Sequence, residues 1–259
     1  MSAYAMSDIH GCYDELMKML NKIEFSSEDA LVIAGDYMDR GDQNYEILEW
    51  VLNSPENVVL LKGNHDVEFI SYVESLDSLK EMFEEELRDD SIEDTKSLIH
   101  LADMSGLTFD YYDTIHRLSD ERQITLSKLK EWSAALGKLP YVYETDIDGK
   151  RFIIVHAGYI ESDKLVSRST VEDFYLYARE EAYAYGGKKD CIIVAGHTPT
   201  ISTRHSSYTG GTIYRHYNKD INCTYYDIDC GAVFRKLYRE GNMACLRLDD
   251  EKEFYLFED

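Results

Sequence analysis

Asp8 and His10 stand two residues apart in an extended segment, so a carboxylate and an imidazole project to the same side of the chain. Four further polar clusters follow in order: Gly35-Asp36-Tyr37-Met38-Asp39-Arg40-Gly41, Gly63-Asn64-His65-Asp66, His156-Ala157-Gly158 and Gly196-His197-Thr198. Asp36 comes after the apolar run Leu31 to Ala34, and its two oxygens suit a bridge between two cations. Asn64 offers a neutral oxygen, while His156 and His197 offer ring nitrogens after apolar runs of their own. Carboxylate, imidazole and amide together suit Mn, Fe, Zn or similar ions better than a thiolate-seeking metal. Two such ions about 3.5–4 Å apart polarise a phosphoryl group and hold a hydroxide at neutral pH, so phosphate-ester hydrolysis is the expected chemistry. Taken singly, an Asp-x-His pair or a histidine at a strand end is more often structural. Five ligand-bearing clusters in one order, each beyond a β-like run, carry the reading.

The elements that must position these groups read as strand, loop and helix three times over. Ala3 to Met6, Ala30 to Ala34 and Val58 to Leu61 are predicted strands, and helices are expected over Tyr13 to Ile23, about Tyr45 to Leu52, and from Val67 onward. Apolar strands alternating with helices imply a buried sheet with parallel neighbours, and ligands bind beyond the strand ends of such sheets. From Val67 to Leu139 the pattern is helical, with breaks expected near Ser105-Gly106 and around Ser119. Tyr141 to Thr145 and Arg151 to Val155, split by Asp148-Gly149, predict a hairpin. A helix from Val171 to Tyr185 should precede the strand Cys191 to Ala195. Gly211 to Phe257 is rich in Tyr and β-branched residues and is expected to be antiparallel, turning at Gly241-Asn242.

Composition narrows the function. The chain has 259 residues and a net charge of -23, which argues against nucleic acid and against an anionic membrane surface as partners. Eleven acids face two bases between Val67 and Asp94, read as a solvated helix face. Cys12, Cys191, Cys223, Cys230 and Cys245 are scattered, with no CxxC pair, which suggests a reducing compartment. No apolar run reaches the roughly 20 residues of a membrane span, and with the first motif already at Asp8 no cleaved leader is expected; a cytoplasmic location is the expectation. His100, His116, His205 and His216, and the Tyr-rich tail, are read as surface or packing residues.

Asp8-Ile9-His10-Gly11, the Gly35–Gly41 motif, Gly63-Asn64-His65-Asp66, His156-Ala157-Gly158 and Gly196-His197 together resemble the calcineurin-like metallophosphoesterase superfamily. Within it they are most similar to the phosphoprotein phosphatase branch, in particular bacterial and phage-type serine/threonine phosphatases. The resemblance runs from Asp8 to about Phe234 and is loose across the helical stretch. It implies an α/β, four-layer sandwich, two mixed β-sheets flanked by helices, as one domain over 1–259 with a helical insertion at about 67–139. It implies two divalent ions, Mn²⁺ first and Fe, Zn, Ni or Co as others. One is held by Asp8, His10 and Asp36, the second by Asp36, Asn64, His156 and His197. It further implies Arg40 and Arg179 as phosphate-binding arginines, His65 as general acid and Asp39 as its orienting carboxylate.

The branch assignment favours a serine/threonine (or dual-specificity) protein phosphatase acting on a phosphoprotein or small phosphorylated substrate. Asp39, Thr198-Pro199 after the last histidine, and Gly231-Ala232-Val233-Phe234 point that way. The alternative is a dinucleoside polyphosphate hydrolase, to which His10-Gly11-Cys12-Tyr13, Gly63-Asn64-His65-Asp66 and His156-Ala157-Gly158 are similar. A non-catalytic binding protein of the same fold predicts missing ligands, and none is missing. Ser7, Asp66 and Ala157 depart from the commonest family residues without removing a ligand.

Overall fold

The computed structural model describes residues 1–83, 90–106, 112–165 and 170–258; the parts of the expected helical stretch at 84–89 and 107–111 lie outside them. Among the described residues ten strands form two five-stranded sheets. In the first, β1 (Ala3–Met6), β2 (Ala30–Ile33) and β3 (Val58–Leu60) run parallel, and β9 (Ala244–Arg247) and β10 (Lys252–Tyr255) add antiparallel at the β1 edge. In the second, β5 (Lys150–Val155), β6 (Cys191–Ala195) and β8 (Cys223–Asp227) run parallel. They are flanked by β4 (Val142–Ile147) and β7 (Tyr214–Asn218), both antiparallel.

The two-residue period of each strand builds the layers. Tyr4, Met6, Leu31 and Ile33 face a helical layer, whereas Ala5, Val32, Ala34 and Leu61 meet Phe152, Ile154, Val194 and Tyr226 of the second sheet. Ile153, Val155, Ile193, Ala195 and Tyr225 face outward beneath α7 (Val171–Tyr177) and α8 (Glu180–Ala184). Both faces of the central strands are therefore buried, which is why they read as unbroken apolar runs. The first helical layer holds α1 (Tyr13–Lys22), α2 (Asn44–Leu52), α3 (Asn64–Met82), α4 (Ile92–Ser105), α5 (Thr114–Arg122) and α6 (Leu126–Gly137). The result is the expected four-layer sandwich.

Several boundaries differ from expectation, each for a local reason. The third helix begins at Asn64, not Val67, because Asp66 caps it by accepting from the Gly63 N–H at 2.7 Å. Ser119 is buried inside α5 beside Ile115 and Leu118; the break falls at Gln123, whose φ is 56°. The break at Ser105-Gly106 is where expected, with Gly106 in the left-handed region. The helix expected over Val171 to Tyr185 is two, because the Ala157 N–H takes the Tyr175 carbonyl at 2.8 Å and Ala178 turns extended. In the tail, β8 slots between β6 and β7 and runs parallel to β6, so only part of that region is antiparallel. The turn expected at Gly241-Asn242 closes just before it, with Gly241 N–H on Tyr238 O at 2.9 Å. Among the described residues no helix is long and apolar enough to cross a membrane.

Candidate metal centre

Six parallel strand ends, three from each sheet, deliver the polar clusters to one place: Asp8 after β1, Asp36 after β2, Asn64 after β3, His156 after β5, His197 after β6 and Asp229 after β8. The seam is tied by direct bonds between sheets. His156 Nδ1 donates to Ala34 O at 2.8 Å, and the His197 N–H donates to Asp8 Oδ2 at 3.0 Å. The turns are tight: Asp8, His10, Asp36, Asp39, Arg40 and His197 all have φ between 44° and 74°, a region costly for residues with a Cβ. Glycine is required at two close approaches. A Cβ on Gly63 would stand 2.2 Å from Asp36 Oδ1, and one on Gly196 would stand 2.1 Å from Asp8 Oδ2.

The ligand-type atoms gather around Asp36. Its Oδ2 lies 3.5 Å from His10 Nε2, 3.5 Å from His156 Nε2 and 3.9 Å from His65 Nε2. Asp8 Oδ1 is 3.9 Å from His10 Nε2, while His156 Nε2 is 3.0 Å from Asn64 Oδ1 and 3.1 Å from His197 Nδ1. Among the described residues two groups result, His10–Asp36–His65 and Asp36–His156–His197, each with its ligand atoms within 4.8 Å of one another. They share Asp36, as two adjacent cations would require. All six residues expected as ligands are buried here together.

Electrostatics separates the histidines. Burial, then the Arg40 and His65 charges, holds His10 well below the usual imidazole range. Its Nδ1–H donates to Met38 O at 2.8 Å, leaving a lone pair on Nε2 towards Asp36 and Asp8. Burial, then His156 and Arg179, depresses His197 likewise. His65 moves the other way: burial resists its charge, but Asp36 and the bond to Asp39 outweigh that and raise it. His65 Nδ1 meets Asp39 Oδ2 at 2.6 Å, and Nε2 faces Arg40 Nη2 at 2.8 Å. In this arrangement Nε2 accepts; a second proton there requires the guanidinium to turn away.

Two acids that the sequence reading did not select complete the floor. Asp227 and Asp229 are buried at the end of β8, and burial plus their neighbouring carboxylates raises both well above the usual range. With Asp8, Asp36, Asp39 and Asp66 they make six buried carboxylates among the described residues, a density that calls for cations. The donor set and this acid excess fit divalent ions. The available signal was Asp227-x-Asp229-x-Gly231 after an apolar strand, hidden by treating the tail as an antiparallel periphery.

Asp66 is the buttress. It is 0% exposed, and its oxygens accept from the N–H groups of Gly63 (2.7 Å), Asp36 (3.0 Å) and Tyr37 (3.3 Å). An Asp66→Asn side chain turns an NH₂ towards one or two of those donors. A buried N–H left unpaired costs about 1–3 kcal/mol, so the thermal midpoint should fall by several degrees and turnover should fall with it as Asp36 loses its anchor. An unchanged melt would remove Asp66 from this role.

Arg40 lies over the cluster, bonded to His10 Nε2 through Nη1. Arg179 sits in the break between α7 and α8, and its Nη1 reaches Thr198 Oγ1 at 3.2 Å and His197 O at 3.5 Å. Both arginines thus border the site on different elements.

The model of the calcineurin-like phosphoesterase family matches residues 1–233. Among curated proteins, the symmetrical bis(5'-nucleosyl)-tetraphosphatase of Buchnera aphidicola subsp. Baizongia pistaciae is 41% identical over 81 residues, which is 31% of this chain and 29% of that protein. The enzyme of the same name from Chromobacterium violaceum is 34% identical over 95 residues, 36% of this chain and 32% of that one. Each match therefore spans about a third or less of the relative's length. Among solved structures, a candidate diadenosine tetraphosphatase aligns over 98% of this chain and 91% of its own at TM-score 0.53 and 17% identity. A protein serine/threonine phosphatase from Saccharomyces cerevisiae aligns over 96% of this chain and 72% of its own at TM-score 0.53 and 12% identity. At such identities these structures speak for the fold alone.

Proposed function

We propose, from the premise that this chain belongs to the calcineurin-like phosphoesterase family, that it is a two-metal hydrolase whose substrate is a dinucleoside polyphosphate. The observation that carries the chemistry is the sharing of Asp36 by two ligand groups beside the His65–Asp39 pair. Asp8, His10 and Asp36 would hold one divalent ion, and Asp36, Asn64, His156 and His197 the other. Bound ions supply Lewis-acid polarisation of the phosphoryl group and a hydroxide at neutral pH. Arg40 swings its fork of donors from the imidazoles onto phosphate oxygens, and Arg179 approaches from the His197 side. That movement frees His65 Nε2 to carry a proton to the leaving oxygen, while Asp39 holds the Nδ1–H and stabilises the imidazolium.

Support for the dinucleotide comes from the names of the curated relatives, which are 41% and 34% identical to this chain over 81 and 95 residues. A phosphoprotein is the second reading, and two observations favour it. Asp39 is present and bonded to His65 at 2.6 Å. The net charge of -23 repels a polyphosphate and attracts basic polypeptides. The deciding experiment is a side-by-side assay with Mn²⁺ on diadenosine tetraphosphate and on phosphopeptides. We expect kcat/KM to favour the dinucleotide at least tenfold; the reverse preference replaces the first reading with the second.

A further inference from the structure

The helical stretch between the third and fourth motifs does more than cover the sheet, because the start of α5 reaches into the site. Thr114, 1% exposed, donates from Oγ1 to Asp39 Oδ1, the oxygen not used by His65. Two residues earlier, the Tyr112 ring lies 5.2 Å from the Arg40 guanidinium carbon, and its hydroxyl is 3.4 Å from Arg40 Nη2. The same ring is 5.0 Å from the His65 ring. From the C-terminal segment, Phe234 brings a second ring to 5.7 Å from the Arg40 guanidinium. Cation–π contact from two rings restricts where a long, flexible side chain points. Asp39 bonded on both oxygens is likewise held in one rotamer, which fixes the His65 ring.

We propose that Tyr112 and Thr114 are positioning residues: Thr114 sets the Asp39–His65 pair, and Tyr112, with Phe234, sets Arg40. The helical stretch is thereby part of the machinery, whichever phosphoester is the substrate. This rests on the hydrolase reading and not on the dinucleotide, so the probe is p-nitrophenyl phosphate together with a phenyl phosphate of poorer leaving group, with Mn²⁺. Inorganic phosphate serves as the competitive inhibitor.

Thr114→Val keeps the shape and removes the donor. It should lower kcat on phenyl phosphate about tenfold with KM within twofold, and Thr114→Ser should restore kcat to within threefold of the starting protein. Tyr112→Leu should raise KM and the phosphate inhibition constant together about tenfold, with kcat within threefold, while Tyr112→Phe keeps most of the effect of the ring. The thermal midpoint of each variant is measured alongside. A Thr114→Val protein with unchanged kcat, or a Thr114→Ser protein as slow as Thr114→Val, overturns the role of Thr114. Equal loss of kcat and KM that tracks a fallen midpoint makes both residues merely structural and overturns the proposal. A starting protein that turns over neither these esters nor diadenosine tetraphosphate with Mn²⁺ instead sinks the hydrolase reading beneath it.

Discussion

Asp36→Asn will lower turnover at saturating Mn²⁺ by about 10²–10³-fold, the scale of losing one preorganised charge at a reacting centre. Asp36 is 1% exposed and its Oδ2 lies 3.5 Å from both His10 and His156. Asn preserves the shape and the bond from the His65 N–H to Oδ1, seen here at 3.0 Å, but it removes the charge that two cations would share. Chelation of the unaltered protein with EDTA should produce a comparable loss, and added Mn²⁺ should reverse it. Full turnover in excess chelator would remove the metals from the mechanism.

Stability should move the opposite way. Burial raises Asp36 well above its ordinary carboxylate value, and it raises Asp66 to about 6. A raised folded-state value means that the unfolded chain loses its proton first as pH rises. These two carboxyls therefore contribute stability to the chelated protein that is fully present below about pH 4 and is lost as pH climbs through 6 and beyond. Chelated Asp36→Asn, lacking one buried charge, should melt at or above the chelated starting protein at pH 7, which a thermal scan decides.

The second large effect concerns His65, and its signature is the leaving group. If His65 delivers a proton to the departing oxygen, His65→Asn should cost about 10²–10⁴-fold on an alkyl phosphate, whose leaving group is strongly basic. The cost on p-nitrophenyl phosphate, whose leaving group departs as an anion without help, should stay under about tenfold. Its bonding to Asp39 at 2.6 Å and its raised titration, set against the depressed His10 and His197, single it out among the buried imidazoles. Equal losses on the two esters would reassign His65 to holding metal, a role its 3.9 Å separation from Asp36 Oδ2 also permits.

The strands that carry the site were legible because both of their faces are buried and the polar clusters interrupt them abruptly. Asp8, Asp36, Asn64, His156 and His197 could be placed in order from those interruptions alone. What local pattern could not express was the fate of β8. The strand Cys223–Asp227 pairs with β6 only after a crossover through β7, and pairing of this kind leaves no trace in a two-residue period. Asp227 and Asp229 were lost with it. Thr114 and Tyr112 were unreadable for a different cause. A threonine and a tyrosine on a charged helical stretch look like surface, and their contacts with Asp39 and Arg40 span about 75 residues of sequence. The helix break at Arg179 depends on a carbonyl captured by Ala157, again a long-range competition.

The seam between the sheets has a thermodynamic consequence. The ligand set expected for the second ion is split: Asp36 and Asn64 hang from one sheet, His156 and His197 from the other, whereas Asp8, His10 and Asp36 all hang from the first. An ion bound across the split set acts as a rivet, since pulling the sheets apart forfeits its binding energy. Each tenfold excess of free ion over its dissociation constant then adds about 1.4 kcal/mol to the cohesion of the whole sandwich. Metal supply would thus set the lifetime of the folded chain as well as its catalytic rate.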